Sequence, residues 1–404
     1  MQFERTRKIL ALGLVLALAL STFGLSGCGN NEDGDGGEAT GKTETIKIGV
    51  ETALTGPLPD YGKAAQVGCE LAAEDFGGFE IDGTTYEIEL VVLDDKAEPT
   101  EAAIVAQTMV DEGVIGVIGG LTTGATLAAM PIYNDNRIPQ ISGSVTGPKA
   151  NETNFDTFHR TCWNDLVQAE ALGVWAIEMG AKKVVVMDDN DAYAVGLADA
   201  AEAYLKGENV AVLRQNAQGG DKDFSAQIAN IREFAPDTII FTGYHPEAGL
   251  LRKQMVEAGM GEVVFMGGDG IKSDEFISQA GGEANAKGCY ATFGSFPEDQ
   301  QPGYAEFAEK YREKTGEEVG PYAQNNYDAL GVLVAAIQEA GSLDTEDIIA
   351  ALKTIEYEGV TGTFSFAAEA EGTVAMGDVV VAGLTPANVP RYQVEGTTWV
   401  AATK

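Results

Sequence analysis

Five short turns carry most of the side chains able to do chemistry in this sequence. Gly119-Gly120-Leu121-Thr122-Thr123-Gly124-Ala125-Thr126 places small residues and hydroxyls just ahead of a helical stretch. Free N–H groups and the helix dipole favour an anion at such a point. Ser142-Gly143-Ser144-Val145-Thr146 is a second hydroxyl-bearing turn. Asp188-Asp189-Asn190-Asp191-Ala192-Tyr193, Thr242-Gly243-Tyr244-His245-Pro246-Glu247 and Gly267-Gly268-Asp269-Gly270 instead offer aromatic rings and carboxylates. One group of turns suits a carboxylate and the other an ammonium, so together they suit a zwitterion. This is the chemistry of holding a solute.

Bond-making chemistry finds little support. The chain has two histidines, His159 and His245, and no acid–nucleophile arrangement beside either. A zinc centre needs more ligands than these. The acidic run 188–191 invites calcium, but it lacks the sixth-position glycine and terminal glutamate of an EF-hand loop. Gly116, Gly119 and Gly120 do not have dinucleotide-fingerprint spacing, and no phosphate loop is present. The expectation is a binding protein that is not an enzyme, with no cofactor and no metal.

The elements that must position these turns are legible as apolar β-rich runs alternating with amphipathic stretches. Strands are expected at Ile46–Val50, Glu87–Leu93, Val114–Ile118, Lys183–Met187, Thr238–Phe241 and Val263–Met266. Helical segments are expected at Ala64–Phe76, Leu166–Met179, Ala192–Leu205 and Phe224–Phe234. Tyr304, Phe307, Ala308 and Tyr311 share one helical face, as do Leu330, Val334 and Ile337. Short, nearly continuous apolar strands alternating with helices indicate parallel sheets covered on both faces. The pattern runs through twice, once to about Ile141 and again from Lys183. The fold class is therefore α/β with two doubly wound lobes. From Thr361 the chain is Thr/Val/Phe-rich with Gly turns, which suggests closing hairpins.

Composition argues against nucleic acid, and the N-terminal residues point outside the cytoplasm. It has 404 residues with 26 Lys+Arg against 62 Asp+Glu, a formal charge of −36. Such an acidic surface repels phosphate backbones. Arg5, Arg7 and Lys8 precede the apolar run Ile9–Leu20, which is too short to span a bilayer and reads as an export signal. Leu25-Ser26-Gly27-Cys28 resembles the bacterial lipobox, which implies cleavage before Cys28 and its acylation, palmitate included, as a membrane anchor. Residues 1–27 are then a lipoprotein signal peptide. Residues 28–44, rich in Gly, Asn and acids with no large apolar residue, read as a flexible tether.

A resemblance now becomes specific. The first half supplies Gly56-Pro57, Tyr61-Gly62 and Ile141-Ser142-Gly143-Ser144-Val145-Thr146. The second supplies Tyr193-Ala194-Val195-Gly196, Asp221-Lys222-Asp223-Phe224-Ser225, Gly243-Tyr244-His245-Pro246-Glu247 and Phe265-Met266-Gly267-Gly268-Asp269-Gly270. In order and spacing this resembles the branched-chain amino-acid-binding protein family, the substrate-binding receptors of ABC importers, from about Ile46 to near Val394. The resemblance implies two Rossmann-like lobes joined by a three-crossover hinge, the type I periplasmic binding protein arrangement. The crossovers fall near His159–Thr161, Ala291–Phe296 and Gly359–Phe364. Lobe 1 is then 45–160 plus 295–360, and lobe 2 is 161–294 plus 361–404. Carried over by motif, Thr123, Ser144 and Thr146 hold the solute carboxylate, Asp269 meets its ammonium, and Tyr61, Tyr193 and Tyr244 line the cleft. Asp269 departs from the family's usual Glu, which draws the charge back by roughly 1.5 Å.

The implied function is capture of an amino acid, branched-chain or otherwise apolar, and delivery to an ABC permease and its ATPase subunits. The same scaffold also serves amides, urea-like compounds and aromatic acids, and a surface sensor is a further alternative. Cys69, Cys162 and Cys289 remain besides Cys28. Ala97 and Thr122 stand where the family's disulfide cysteines fall, so three buried thiols are expected, with a Cys162–Cys289 pair as the other option.

Overall fold

The computed structural model describes residues 42–366, 377–380 and 384–402; Cys28, the signal segment and most of the tether lie outside them. Its first sheet contains β1 (Lys42–Thr52), β2 (Phe79–Ile81), β3 (Thr84–Asp94), β4 (Val117–Ile118), β5 (Gln140–Ser142) and β6 (Phe158–Arg160). Their spatial order is β2-β3-β1-β4-β5-β6. Every pairing is parallel except β2 against β3. The second sheet contains β7 (Lys183–Asp188), β8 (Ala211–Asn216), β9 (Thr238–Phe241), β10 (Val264–Gly267) and β11 (Cys289–Thr292). After β12 (Tyr357–Glu358) and β13 (Thr363–Phe364), which form a small hairpin, β14 (Arg391–Glu395) and β15 (Thr398–Ala401) complete it. The order there is β15-β14-β11-β10-β9-β7-β8, parallel from β11 to β8 and antiparallel at β14 and β15. Two parallel sheets with closing hairpins are what the alternating pattern implies.

The strands sit where both faces can be covered. Val184 to Met187 and Ile239 to Phe241 are fully buried, as apolar runs in a doubly covered sheet must be. β1 begins at Lys42, inside the segment read as tether, because Lys42, Thr43 and Glu44 extend the ladder opposite Thr84, Thr85 and Tyr86. The expected strand at Val114–Ile118 shrinks to Val117–Ile118. Its first residues instead finish the preceding helix: Gly113 takes φ 73°, and the Val114 N–H donates to Met109 O.

The helix Ala323–Ala340 is buried on almost every side and packs along the helix Pro59–Phe76. Gly68 lets them approach, since a Cβ there would lie 2.0 Å from the Ala323 carbonyl oxygen. The chain leaves the first sheet after β6, enters the second, and returns after β11 to the helices Tyr304–Thr315 and Ala323–Ala340. Phe364, Phe366, Val379 and Val389 still pack in the first sheet's apolar cluster before β14 crosses back. Cys69, Cys162 and Cys289 are buried free thiols.

Candidate functional site

The carboxyl ends of the strands from both sheets converge on one cavity. Tyr61, Thr123, Ser144, Thr146, Tyr193, Tyr244 and Asp269 all line it, joined by Leu58, Leu121, Thr122 and Tyr322.

The first-sheet side is a wall of hydroxyls at a helix start. After β4 the chain turns into the helix Thr123–Asp135, capped by Thr122, whose Oγ1 accepts from Ala125 N–H at 3.4 Å. Thr123 Oγ1 accepts from Gly147 N–H at 3.3 Å, which leaves its own proton to donate. Ser144 Oγ donates to Leu121 O at 3.0 Å, tying the two turns together. The Thr146 hydroxyl bonds the carboxylate of Asp165. Free donors on this wall are therefore the Thr123 hydroxyl and the leading N–H groups of the helix, a setting that favours an anion.

The second-sheet side is aromatic and acidic. Asp269 opens a short 3-10 turn directly after β10 and is 5% exposed. Its Oδ1 accepts from Gln168 Nε2 at 2.5 Å and from the Tyr193 hydroxyl at 3.2 Å. Gly268 is required beside it, because a Cβ there would lie 2.5 Å from the Tyr193 oxygen. The rings of Tyr193 and Tyr244 pack 5.1 Å apart. Both tyrosines are aimed by the acidic run 188–191: Asp191 Oδ1 caps Tyr193 N–H and Asp189 Oδ2 accepts from Tyr244 N–H. Asp188 is taken up by Arg214. That run thus serves as turn and cap, and no metal-holding group of three or more His, Cys, Asp and Glu occurs among the described residues.

Gln168 and Asp165 escaped the sequence reading. The Gln168 amide also donates to Asp165 Oδ1 at 3.0 Å, while its oxygen accepts from Thr292 Oγ1 at 2.9 Å. One amide thereby bridges two buried carboxylates and is itself held in a single orientation. Burial raises the pKa of both acids, and for Asp165 the charge of Asp269 adds to it. Tyr322, also missed, stands at φ 61° ahead of the helix Ala323–Ala340 and stacks on Phe293 with ring centroids 4.3 Å apart.

The two walls are closed on each other. The Tyr61 hydroxyl donates to the Asp269 carbonyl at 2.7 Å, and its ring stacks on His245 at 5.8 Å. Next to it, Asp60 accepts from Ser273 Oγ at 2.6 Å. A preorganised anion wall facing a buried carboxylate, with both sheets contributing, is an arrangement for enclosing a small dipolar molecule.

Comparison with known proteins shows the family. The periplasmic binding protein family profile matches residues 45–386. A leucine-, isoleucine-, valine-, threonine- and alanine-binding protein of Pseudomonas aeruginosa is 31% identical over 80% of this chain and 86% of its own. A Leu/Ile/Val-binding protein homologue of Brucella suis is 33% identical over 76% and 82%. Among solved structures, a leucine-binding protein from Thermotoga maritima superposes with TM-score 0.79 at 30% identity, covering 89% of this chain and 98% of that one. A branched-chain amino-acid transporter substrate-binding protein from Streptococcus pneumoniae, in complex with isoleucine, gives TM-score 0.75 at 29% identity over 89% and 100%. No helix among the described residues is long and apolar enough to cross a membrane. The chain belongs to the periplasmic binding protein family, extracytoplasmic receptors of type I two-lobe fold that bind solutes and are not enzymes.

Proposed function

We propose that this chain captures an amino acid, branched-chain or otherwise apolar, between its lobes and delivers it to an ABC importer. The observation that carries the reading is the shared cavity: Thr123 and a helix start on one wall oppose Asp269 on the other. A zwitterion placed with its carboxylate on the first and its ammonium on the second satisfies both, and Leu58 and Leu121 supply apolar surface for a side chain. The isoleucine in the complex of the Streptococcus relative and the named solutes of the Pseudomonas relative support the same class. Solute binding stabilises the closed arrangement, and the permease with its ATPase subunits recognises that arrangement.

In this reading Cys28 carries the lipid anchor and the following residues are a leash up to the start of β1. Lobe 1 comprises 45–160 and the return from 295 as far as the packed residue Val389, and lobe 2 comprises 161–294 and the terminal strands from Arg391. The packing of Phe364, Phe366 and Val389 in the first cluster supports placing the last boundary near residue 390 rather than 361.

The test is calorimetry and thermal shift with a panel of amino acids, amides, urea-like compounds and aromatic acids. An apolar amino acid is expected to bind tightly and raise the melting temperature, and Asp269→Ala to abolish that binding. Undiminished affinity in Asp269→Ala, or preference for an uncharged amide or an aromatic acid, would overturn the assignment.

A further inference from the structure

Close to the Thr123 turn lies a second buried polar cluster, none of whose members lines the solute cavity. Glu51 is the penultimate residue of the central strand β1 and Asp95 follows β3; they are 1% and 0% exposed. Glu51 Oε2 accepts from the Tyr133 hydroxyl at 2.6 Å, and Asp95 Oδ1 accepts from Ala97 N–H at 2.8 Å. Among the described residues the other oxygen of each carboxylate has no hydrogen-bond partner, and neither does the hydroxyl of the fully buried Thr126. These three orphaned oxygens face one spot. A Cβ built on Gly120 would lie 2.8 Å from Thr126 Oγ1, 3.2 Å from Glu51 Oε1 and 3.5 Å from Asp95 Oδ2.

The electrostatics call for a positive charge. Burial raises the pKa of both acids, that of Asp95 to about 6, and the charge of Asp95 raises Glu51 further. No Lys or Arg contributes to either shift. Buried carboxylates are ordinarily paired, protonated or bound to a metal. An all-oxygen set with two anionic members and no nitrogen or sulfur selects hard cations over zinc or copper.

We propose that Glu51, Asp95 and Thr126 hold one hard cation, Ca²⁺ or Na⁺, as a structural ion close to the solute-binding turn. The ion stiffens that turn. Gly120, around which the oxygens gather, is fixed on its other side by Ser142 Oγ, which donates to its carbonyl at 2.8 Å. Three residues further on is Thr123. With two carboxylates rather than three, the site is a moderate binder that releases its ion on dialysis against chelator.

The experiment uses the intact purified chain, stripped with EGTA and dialysed into choline chloride at fixed ionic strength. CaCl₂, NaCl, KCl and MgCl₂ are then titrated in while the melting temperature is read, and bound ion is counted by equilibrium dialysis with atomic emission. The expected result is a saturable rise of about 5 °C with Ca²⁺ or Na⁺ and one equivalent bound per chain. Both should be lost in Glu51→Gln and weakened at least tenfold in Thr126→Val, while surface screening by the other salts persists. Thr126→Val keeps the test decisive should Glu51→Gln fail to fold. Equal, non-saturating responses in wild type and Thr126→Val mean that the pocket holds a water and a proton only, and overturn the proposal.

Discussion

Asp60 and His245, 185 residues apart in sequence, meet across the cleft with Oδ1 and Nε2 separated by 3.2 Å. Asp60 opens a first-lobe helix; His245 opens the second-lobe helix His245–Glu257 and is stacked on Tyr61. Burial pushes the Asp60 pKa up, but its bonds to His245 and Ser273 outweigh this and hold it below the usual carboxylate range. The pair thus joins a residue from the first sheet's side of the cavity to one from the second's.

Asp60→Ala should therefore weaken solute binding about tenfold, chiefly through faster release, and barely change the stability of the solute-free chain. Stopped-flow release rates and calorimetry measure the two effects. An unchanged release rate would show that the contact is incidental to closure.

Gln168→Met keeps the side chain's volume while removing the amide shared by Asp165 and Asp269. Two buried carboxylates then lose a donor, at a cost of about 2–3 kcal/mol at neutral pH. Because their folded-state pKa values are raised, protonation relieves the loss as the pH falls. Urea melts at pH 7.5 and pH 5 should show a penalty that shrinks in acid; an equal penalty at both would refute the bridging role.

His159, in β6 and packed edge-on against Phe366 at 4.8 Å, is buried and its pKa is pushed down to about 4. Between pH 6.5 and 4 the unfolded chain binds this proton and the native chain does not. Stability contributed by neutral His159 is thus present above pH 6.5 and falls by about 3 kcal/mol as acid is added through that window. In His159→Gln the slope of unfolding free energy with pH should flatten there. Parallel slopes for the two proteins would count against the assignment.

The lining of the cavity was largely legible because its residues sit at strand ends, where apolar runs stop and turn residues begin. Thr123, Ser144, Tyr193, Tyr244 and Asp269 are each flanked by such a change of composition. Gln168 was not, since it lies within a helix whose pattern reads only as amphipathic, and nothing local points it at Asp269. Tyr322 enters through a positive-φ turn after a crossover, a position set by tertiary packing. In the fold, β8 went unread because its half-exposed sequence Ala211–Asn216 mixes Arg and Gln with Val and Leu, as an edge strand does. Glu51 and Asp95 looked like ordinary polar residues around strand ends; their burial depends on Tyr133 and Thr126 arriving from another segment.

β1 has one more consequence. It is a central strand whose first residue, Lys42, lies at the amino ends of the parallel strands, while the cavity lies beyond their carboxyl ends. Eleven residues of strand separate the two, a span of roughly 35 Å. The described chain therefore enters the receptor at the end remote from its solute.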